Sequence, residues 1–357
     1  VEAGPLGYVP SNLGTVTIAD GGIPDVGADA GPPAIIGADG GIDWSNAVDV
    51  SITANCSASC LGPGITLTQS DPDHSPATLY VVKSLKIASG QILTLNGPNP
   101  VIIASLGDVD IQGAVNANGF YAGYYPGAGG FPPAGSNSAA PQGPGAGGNG
   151  FSPTYPASAA GGGSYCGVGA KGTGTGLIAP GGSTYGNAQI VPLLAGSAGG
   201  YYSGTSYSAF SGGAVQISSA TSIIVRTVGF INAGGAGAFG GGGSGGAILL
   251  EAPTVTVQGT LAANGGGGGV DNATGAGATP SSTPAAGAVN GGAGSAGPTI
   301  NGSVGVLGDG GVNFYGGGGG GSGYIRINVG SGGAILDAGT ISPDLTTTCA
   351  TQGTLTQ

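Results

Sequence analysis

The chain has 357 residues, of which 84 are Gly and 24 are Pro, and only 6 % are charged, against roughly 25 % in a typical globular domain. Five basic residues and a net charge of −11 offer no surface for a phosphate backbone or an anionic membrane, so neither nucleic-acid binding nor membrane insertion is predicted. The glycines follow no Gly-X-Y period, which excludes collagen, and the mean hydropathy of +0.26 argues against simple disorder.

The sequence predicts an extracellular or cell-surface location. No apolar run approaches the roughly 18 residues of a membrane-spanning helix. The chain begins with Val1 and contains no Met, which we interpret as a mature product after signal-peptide removal. Four cysteines, an even number, are typical of disulfides formed in an oxidising compartment.

Residues 1–47 are predicted to be an acidic N-terminal strand and tether. Their one alternating run, at 14–19, has no partner at hairpin distance, because Asp20-Gly21-Gly22 leads into Ile23-Pro24. We expect this strand to add to a neighbouring copy by β-augmentation; a disordered acidic tail is the alternative.

Residues 48–357 are predicted to form short β-strands and no helix, since Gly and Pro interrupt every window long enough to nucleate one. The clearest strand-forming runs are Leu79–Val82, Ile92–Leu95, Thr254–Val257 and Tyr324–Ile327. A three-strand unit recurs with turn glycines at 113, 229, 259 and 339. Repeats that bury their apolar faces only against neighbours form solenoids, so we predict an all-β parallel β-helix (β-solenoid) with Gly-rich insertions near 120–206 and 266–315.

The alternation predicts which side chains face the interior. The expected inward set is Val109, Ile111 and Val115 with their counterparts Val255, Val257 and Leu261, and the outward set is Asp108, Asp110, Thr254, Thr256 and Gln258. A weaker copy places Thr227 where Val257 stands, which predicts a bulge or register change there.

The insertions are predicted to be ordered at least in part. Long glycine strands form extended helices with three residues per turn that pack side by side because no Cβ intervenes, whereas flexible linkers are the alternative. Thirteen of the 21 aromatic residues lie between positions 120 and 210. They predict either binding loops or a local core that holds the insertion down.

Several segments resemble segments of known proteins: the runs at 79–87, 91–97, 101–105 and 107–113, together with the glycine run that begins at 240. They are similar to the glycine-rich secreted proteins of unassigned function found in myxobacteria and their relatives, and more loosely to filamentous-haemagglutinin-type adhesins. The resemblance covers roughly residues 79–342 and implies a β-helix with polyglycine inserts at the cell surface. It brings no catalytic residues.

No catalytic, metal or cofactor site is predicted. The single histidine, His74, lies in a turn-like segment and is interpreted as solvated. Asp108 and Asp110 share one strand face, but the matched positions of the best repeat copy are Thr254 and Thr256, so a solvated edge is expected, with weak cation binding as the alternative. The remaining acids considered for calcium lack the spacing of a known calcium loop: Asp20, Asp25, Asp29, Asp39, Asp43, Asp71 and Asp73.

The four cysteines allow three pairings. Cys56 and Cys60 are four residues apart and can close a small ring, which leaves Cys166 and Cys349 for each other. We favour this pairing, which would attach the first insertion to the C-terminal coil.

Two functions from different classes follow. The first is a secreted structural protein without catalysis that assembles with its own copies into a fibre or surface layer, because no amphipathic cap helix is evident to cover the open strand edges. The alternative is an adhesin that binds a surface carbohydrate or protein through its aromatic Gly-rich loops.

Overall fold

The computed structural model describes residues 5–13, 44–69, 76–120, 125–132, 143–150, 159–174, 178–201, 209–270, 273–307, 315–331, 333–336 and 338–356. Within these ranges the chain is nearly all β, as predicted, with one short 3₁₀ helix, Ala58–Leu61. No helix in the described ranges has the length and apolar character that crossing a membrane requires.

The strands fall into three sheets. They are β1 Asp49–Ile52, β2 Cys56–Ser57, β3 Ile65–Leu67, β4 Ala77–Val82, β5 Ser84–Ile87, β6 Ile92–Thr94, β7 Val101–Ser105, β8 Val109–Ile111, β9 Ala114–Asn116, β10 Ala214–Ser219, β11 Ser222–Val225, β12 Phe230–Asn232, β13 Ala247–Ala252, β14 Thr254–Val257, β15 Thr260–Ala262, β16 Tyr324–Val329, β17 Thr340–Ser342 and β18 Ala350–Thr354. The sheet orders are β1-β5-β8-β11-β14, β18-β16-β13-β10-β7-β4-β3 and β17-β15-β12-β9-β6-β2. The described strand pairs are parallel except β3 with β4.

The chain visits the three sheets in a fixed rotation. Each round runs from the seven-stranded sheet to the five-stranded sheet and then to the six-stranded sheet, as in β7-β8-β9, β10-β11-β12 and β13-β14-β15. Apolar side chains from all three sheets meet in one cluster, the inner core, where Val109, Val115 and Val215 are fully buried. All three sheets therefore bury their inner faces in one shared core.

The predicted register of the repeat is confirmed. Aligned Cα partners in the five-stranded sheet are Val109, Ile223 and Val255, and those in the six-stranded sheet are Val115, Ile231 and Leu261. All six are fully buried. The outward positions Asp108, Thr254 and Gln258 are exposed, and Asp110 and Thr256 are half-buried.

The predicted bulge at Thr227 is wrong. β11 pairs with β14 without interruption, and Val225 is the partner of Val257. Thr227 lies in the turn that follows β11. The extra residues therefore lengthen a turn, where they cost no ladder hydrogen bonds, and the predicted turn glycines remain stacked: Thr260 N–H donates to Gly229 O, and Thr340 N–H donates to Gly259 O.

The N-terminal end of the inner core is covered, contrary to the expectation of an uncapped end. The 3₁₀ helix Ala58–Leu61 contacts β1, β2 and β4, and Ala58 and Leu61 are buried in the inner core. β3 lies antiparallel along β4 at the same end. Four residues were too few to give a helical pattern in the sequence.

The C-terminal end becomes polar. β18 adds to the seven-stranded sheet beyond β16, and its exposed Gln352 is the partner of buried Ile327. Ala334 and Leu336 also pack against the inner core. Of the residues of β18, Ala350 alone belongs to the inner core.

The outer face of the seven-stranded sheet is covered by other parts of the chain. A second apolar cluster joins Leu79, Ile102 and Leu249 of the sheet to Leu13 and Leu193 of the covering segments. The prediction of a tethered strand at 14–19 lies outside the described residues, but residues 5–13 pack on this sheet: Tyr8 donates its hydroxyl to Glu251 O.

Both predicted cysteine pairs are at bonding distance. Cys56 and Cys60 have Cα atoms 6.3 Å apart, and Cys166 and Cys349 have Cα atoms 5.7 Å apart. The second pair joins the first insertion to the residue immediately before β18.

Candidate functional site in the glycine layer

The insertions form one hydrogen-bonded body, which we call the glycine layer. It comprises the described residues of 143–182, 195–213, 233–246, 263–296 and 300–323. Its segments leave the ends of β9, β12 and β15 and return to the starts of β10, β13 and β16.

Neighbouring segments of the layer pair at every third residue. Gly246 N–H donates to Ala233 O at 2.7 Å, and Gly243 N–H donates to Ala236 O at 2.9 Å. The next pair of segments has the same three-residue spacing. The N–H groups of Gly323, Gly320 and Gly317 donate to the carbonyl oxygens of Ala263, Gly266 and Gly269, at 2.8, 2.8 and 2.7 Å respectively. A three-residue period is that of extended polyproline-II-like helices. The ordered packing predicted for the glycine runs is thus present in the described residues.

Glycine is required because the segments approach one another closely. A Cβ at Gly266 would lie 2.0 Å from Ala236 O, and a Cβ at Gly320 would lie 2.1 Å from Gly243 O. Carbonyl oxygens of the neighbouring segments occupy the space that a side chain would need. The layer is therefore a rigid packed body instead of a linker.

The layer has a base at the sheets and a distal end away from them. Segment 233–239 leaves β12 and 240–246 returns to β13, so the turn between them lies roughly 20 Å out at about 3.1 Å per residue. Hydrogen bonds join the other outer connections at that level: Gly150 N–H donates to Tyr201 O, and Gly269 N–H donates to Gly240 O. The sequence between Gly150 and Ala159 contains Phe151 and Tyr155, which lie outside the described residues.

Three exposed apolar side chains form a patch on the layer. Val168, Ile178 and Val304 are 47 %, 50 % and 45 % exposed and line one open groove of about 660 Å³. We call these three residues the apolar patch; Lys171 carries the one charge among the described lining residues of the groove.

The aromatic residues of the first insertion differ in their burial. The buried ring of Tyr165 lies against two half-buried rings, Tyr185 of the same insertion and Tyr324 of β16, with ring centroids 4.6 and 4.9 Å away. Burial raises the pKa of all three phenols. Phe120, in contrast, leaves 45 % of its surface exposed.

The outward carboxylates of β8 have hydrogen-bond partners on neighbouring residues. The hydroxyls of Thr221 and Ser222 donate to Asp108 at 2.6 and 2.8 Å, and these bonds lower the pKa of Asp108. Burial raises the pKa of Asp110, but hydrogen bonds from Arg226 and Gln112 outweigh it and leave the pKa lowered. Carboxylates held ionised in this way are poor proton donors.

A buried carboxylate was missed by the sequence analysis. Glu251, only 2 % exposed, accepts hydrogen bonds from Gln216, Ser218 and Asn328, and from Ser11 of the N-terminal segment. Its one sequence signal is an acid inside the apolar strand β13. The network leaves no free carboxylate oxygen facing solvent, which favours a structural role.

The other candidate residues are placed only in part. His74, Asp71, Asp73 and the acids at positions 20–43 lie outside the described residues. In the described part of the chain, no three His, Cys, Asp or Glu side chains come together as metal ligands would.

Comparisons with protein-family models, with curated proteins and with solved structures find no match for this chain.

Proposed function

We propose that the chain is a non-catalytic extracellular binding protein, an adhesin whose glycine layer provides the contact surface. The observation that carries the proposal is the apolar patch. A cluster of exposed apolar side chains marks an interaction site, because a partner that covers it removes that apolar surface from water. The patch stands on a packed, hydrogen-bonded body, so little conformational entropy is lost when a partner binds.

We also propose that the three sheets are the faces of a parallel β-helix that acts as a stalk or anchor for the layer. The fixed rotation of the chain among the sheets and the shared inner core support this architecture. The covered N-terminal end and the polar β18 disfavour end-to-end stacking of copies. A scaffold that presents the layer is therefore favoured over a fibre built from stacked ends.

The test is a triple variant, Val168→Ser, Ile178→Ser and Val304→Ser. Adsorption to polystyrene beads, an apolar surface without sugars, is measured at equal protein concentration. We expect the variant to bind at least about tenfold less than the natural protein. The control is Val228→Ser with Val289→Ser, since these side chains are also exposed but do not line the groove. Equal loss in the control, or no adsorption of the natural protein, would refute the proposal.

A second candidate, self-assembly by strand addition, is favoured by the outer edge of β18. Ile325 N–H donates to Cys349 O, and Leu355 N–H donates to Val329 O. Because backbone groups alternate along a parallel ladder, those of Ala350, Gln352 and Thr354 point away from β16. No described strand pairs with that edge. The predicted donor, 14–19, lies outside the described residues.

Sedimentation velocity and negative-stain microscopy test this second candidate. Gln352→Pro removes an N–H on the free edge while leaving the bonds to β16 in place. Fibres or oligomers should form with the natural protein and with Gln352→Ala but not with Gln352→Pro. Unchanged assembly of the proline variant, or a strictly monomeric natural protein, would refute strand addition at β18.

A further inference from the structure

A smaller groove lies between the residues that follow β9 and the glycine layer. It measures about 320 Å³ and is lined by Asn118, Phe120, Gly237, Gly275, Gly277 and Ala278, among others. We call it the Phe120 groove. None of its described lining residues carries a charge. Its size falls at the lower end of the roughly 300–1,000 Å³ typical of small-molecule sites.

Two residues that line this groove have polar groups without partners among the described residues. The side-chain amide of Asn118 makes no hydrogen bond with any described residue, although it is half-buried. The N–H and C=O of Gly237 likewise have no partner among the described residues, and Gly237 is buried. Buried backbone groups are nearly always paired, so an unpaired N–H and C=O at a groove wall indicate a site for an external donor and acceptor.

Gly277 differs from the packed glycines of the layer. A Cβ built on Gly277 would have no neighbour closer than 3.8 Å, whereas one on Gly275 would lie 2.2 Å from Gly267 O. Packing within the chain therefore does not require glycine at position 277. A glycine there keeps the groove open instead.

Phe120 supplies an exposed aromatic wall. Its N–H donates to Tyr125 O at 3.0 Å, and the two ring centroids are 6.0 Å apart. The ring is held by this bridge with 45 % of its surface exposed. An aromatic face beside unpaired amide groups suits a ligand that is apolar on one side and rich in hydroxyls around its rim.

We infer that the Phe120 groove binds one pyranose ring of a neutral glycan. The sugar's C–H face packs on Phe120, and its hydroxyls, each both donor and acceptor, pair with Asn118 and with Gly237. An anionic sugar is disfavoured because no lining residue neutralises it and the chain carries a net charge of −11. This inference rests on the proposed function, for which it names a ligand class and a site separate from the apolar patch.

The test uses the full chain and neutral oligosaccharide probes. Cellohexaose, chitohexaose, maltohexaose and mannohexaose are titrated calorimetrically. Gly277→Val adds a side chain at the groove wall, where its Cβ meets nothing closer than 3.8 Å, and we expect at least a tenfold loss of affinity with an unchanged melting temperature. The matched control is Ala276→Val, since the adjacent Ala276 is exposed but does not line the groove. Phe120→Ala should lose affinity to a similar extent.

The outcomes separate this inference from the proposed function. Glycan binding that survives in the apolar-patch variant but fails in Gly277→Val supports the Phe120 groove. If no neutral oligosaccharide binds while the patch still mediates adsorption, the inference is wrong and the proposed function stands. Equal affinity of Gly277→Val and the natural protein refutes the inference, as does preferential binding of a Gly-Ala-Gly repeat peptide over every sugar.

Discussion

Ser11 reaches the carboxylate of Glu251 with both its backbone N–H, at 3.0 Å, and its hydroxyl. The two residues are 240 positions apart in the chain. Around this contact the N-terminal segment 5–13 crosses the outer face of the seven-stranded sheet: Val9 N–H donates to Thr356 O, and Asn12 donates its side-chain amide to Gln216. We call residues 5–13 the N-terminal strap, because they connect the last strand to the middle of the sheet.

The strap should contribute measurably to stability. Ser11→Ala removes the hydroxyl that donates to the buried side chain of Glu251, and leaving a buried acceptor without its donor costs about 1–3 kcal/mol. We expect the urea midpoint to fall accordingly with an unchanged m-value. Ser57→Ala is the control, since that hydroxyl is exposed and bonds only to Ser59. Equal midpoints for Ser11→Ala and the natural protein would show that the strap is not anchored at Glu251.

Alanine substitutions in the glycine layer should lower stability where the glycine is closely packed and leave it nearly unchanged where the glycine is not. Gly266→Ala and Gly320→Ala place a methyl group about 2 Å from a carbonyl oxygen, so the segments must separate. Overpacking of this kind typically costs 1–3 kcal/mol, and occasionally more. Gly277→Ala should change stability by less than about 0.5 kcal/mol, as expected for a surface substitution. Thermal unfolding compares the three; similar melting temperatures would contradict close packing of the layer.

The register could be read from the sequence because two local signals agree. Alternation places Val109, Val255 and their neighbours inward, and the turn glycines fix where each strand ends. A slip of one residue would turn every apolar side chain outward, so the pattern permits a single alignment. The prediction at Thr227 is wrong because the turn between Val225 and Gly229 is longer than the turn between Val257 and Gly259, and alternation does not encode turn length.

The candidate sites could not be predicted in the same way. The apolar patch consists of scattered residues, Val168, Ile178 and Val304, that only the packing of the glycine layer brings to one groove. Glu251 acquires its role from Ser11 and Asn328, which are remote in sequence. Such contacts leave no local periodicity. The sequence did indicate the two disulfides, since ring size alone separates Cys56 and Cys60 from the others.

The two disulfides should differ in their contribution to stability. Cross-linking Cys166 to Cys349 closes a loop of 183 residues, for which chain entropy gives about 5 kcal/mol, whereas the four-residue separation of Cys56 and Cys60 gives about 2 kcal/mol. We therefore expect Cys166→Ser with Cys349→Ser to lower the urea midpoint more than Cys56→Ser with Cys60→Ser. Non-reducing peptide mapping establishes the disulfide pairing before the variants are compared. A peptide that joins Cys56 or Cys60 to Cys166 would contradict both the pairing and the expected order of stabilities.

Alkaline pH should destabilise the protein through its buried tyrosines. Burial raises the pKa of Tyr8, Tyr165 and Tyr185 above the ordinary value of 10.0, so each phenol stays protonated in the folded state when its unfolded counterpart ionises. The unfolded state then binds fewer protons, and stability falls as pH rises above 10. Each such group contributes a slope of about 1.4 kcal/mol per pH unit, or about 4 kcal/mol per unit for the three together.

Urea unfolding at pH 9, 10 and 11 measures how the free energy of unfolding changes with pH, and absorbance at 295 nm follows the ionisation of the tyrosines. Tyr165→Phe should be less stable at pH 8, because Leu194 O loses its donor, yet should show about one third less slope above pH 10. A folded protein whose tyrosines all ionise near pH 10 would contradict the burial of this set.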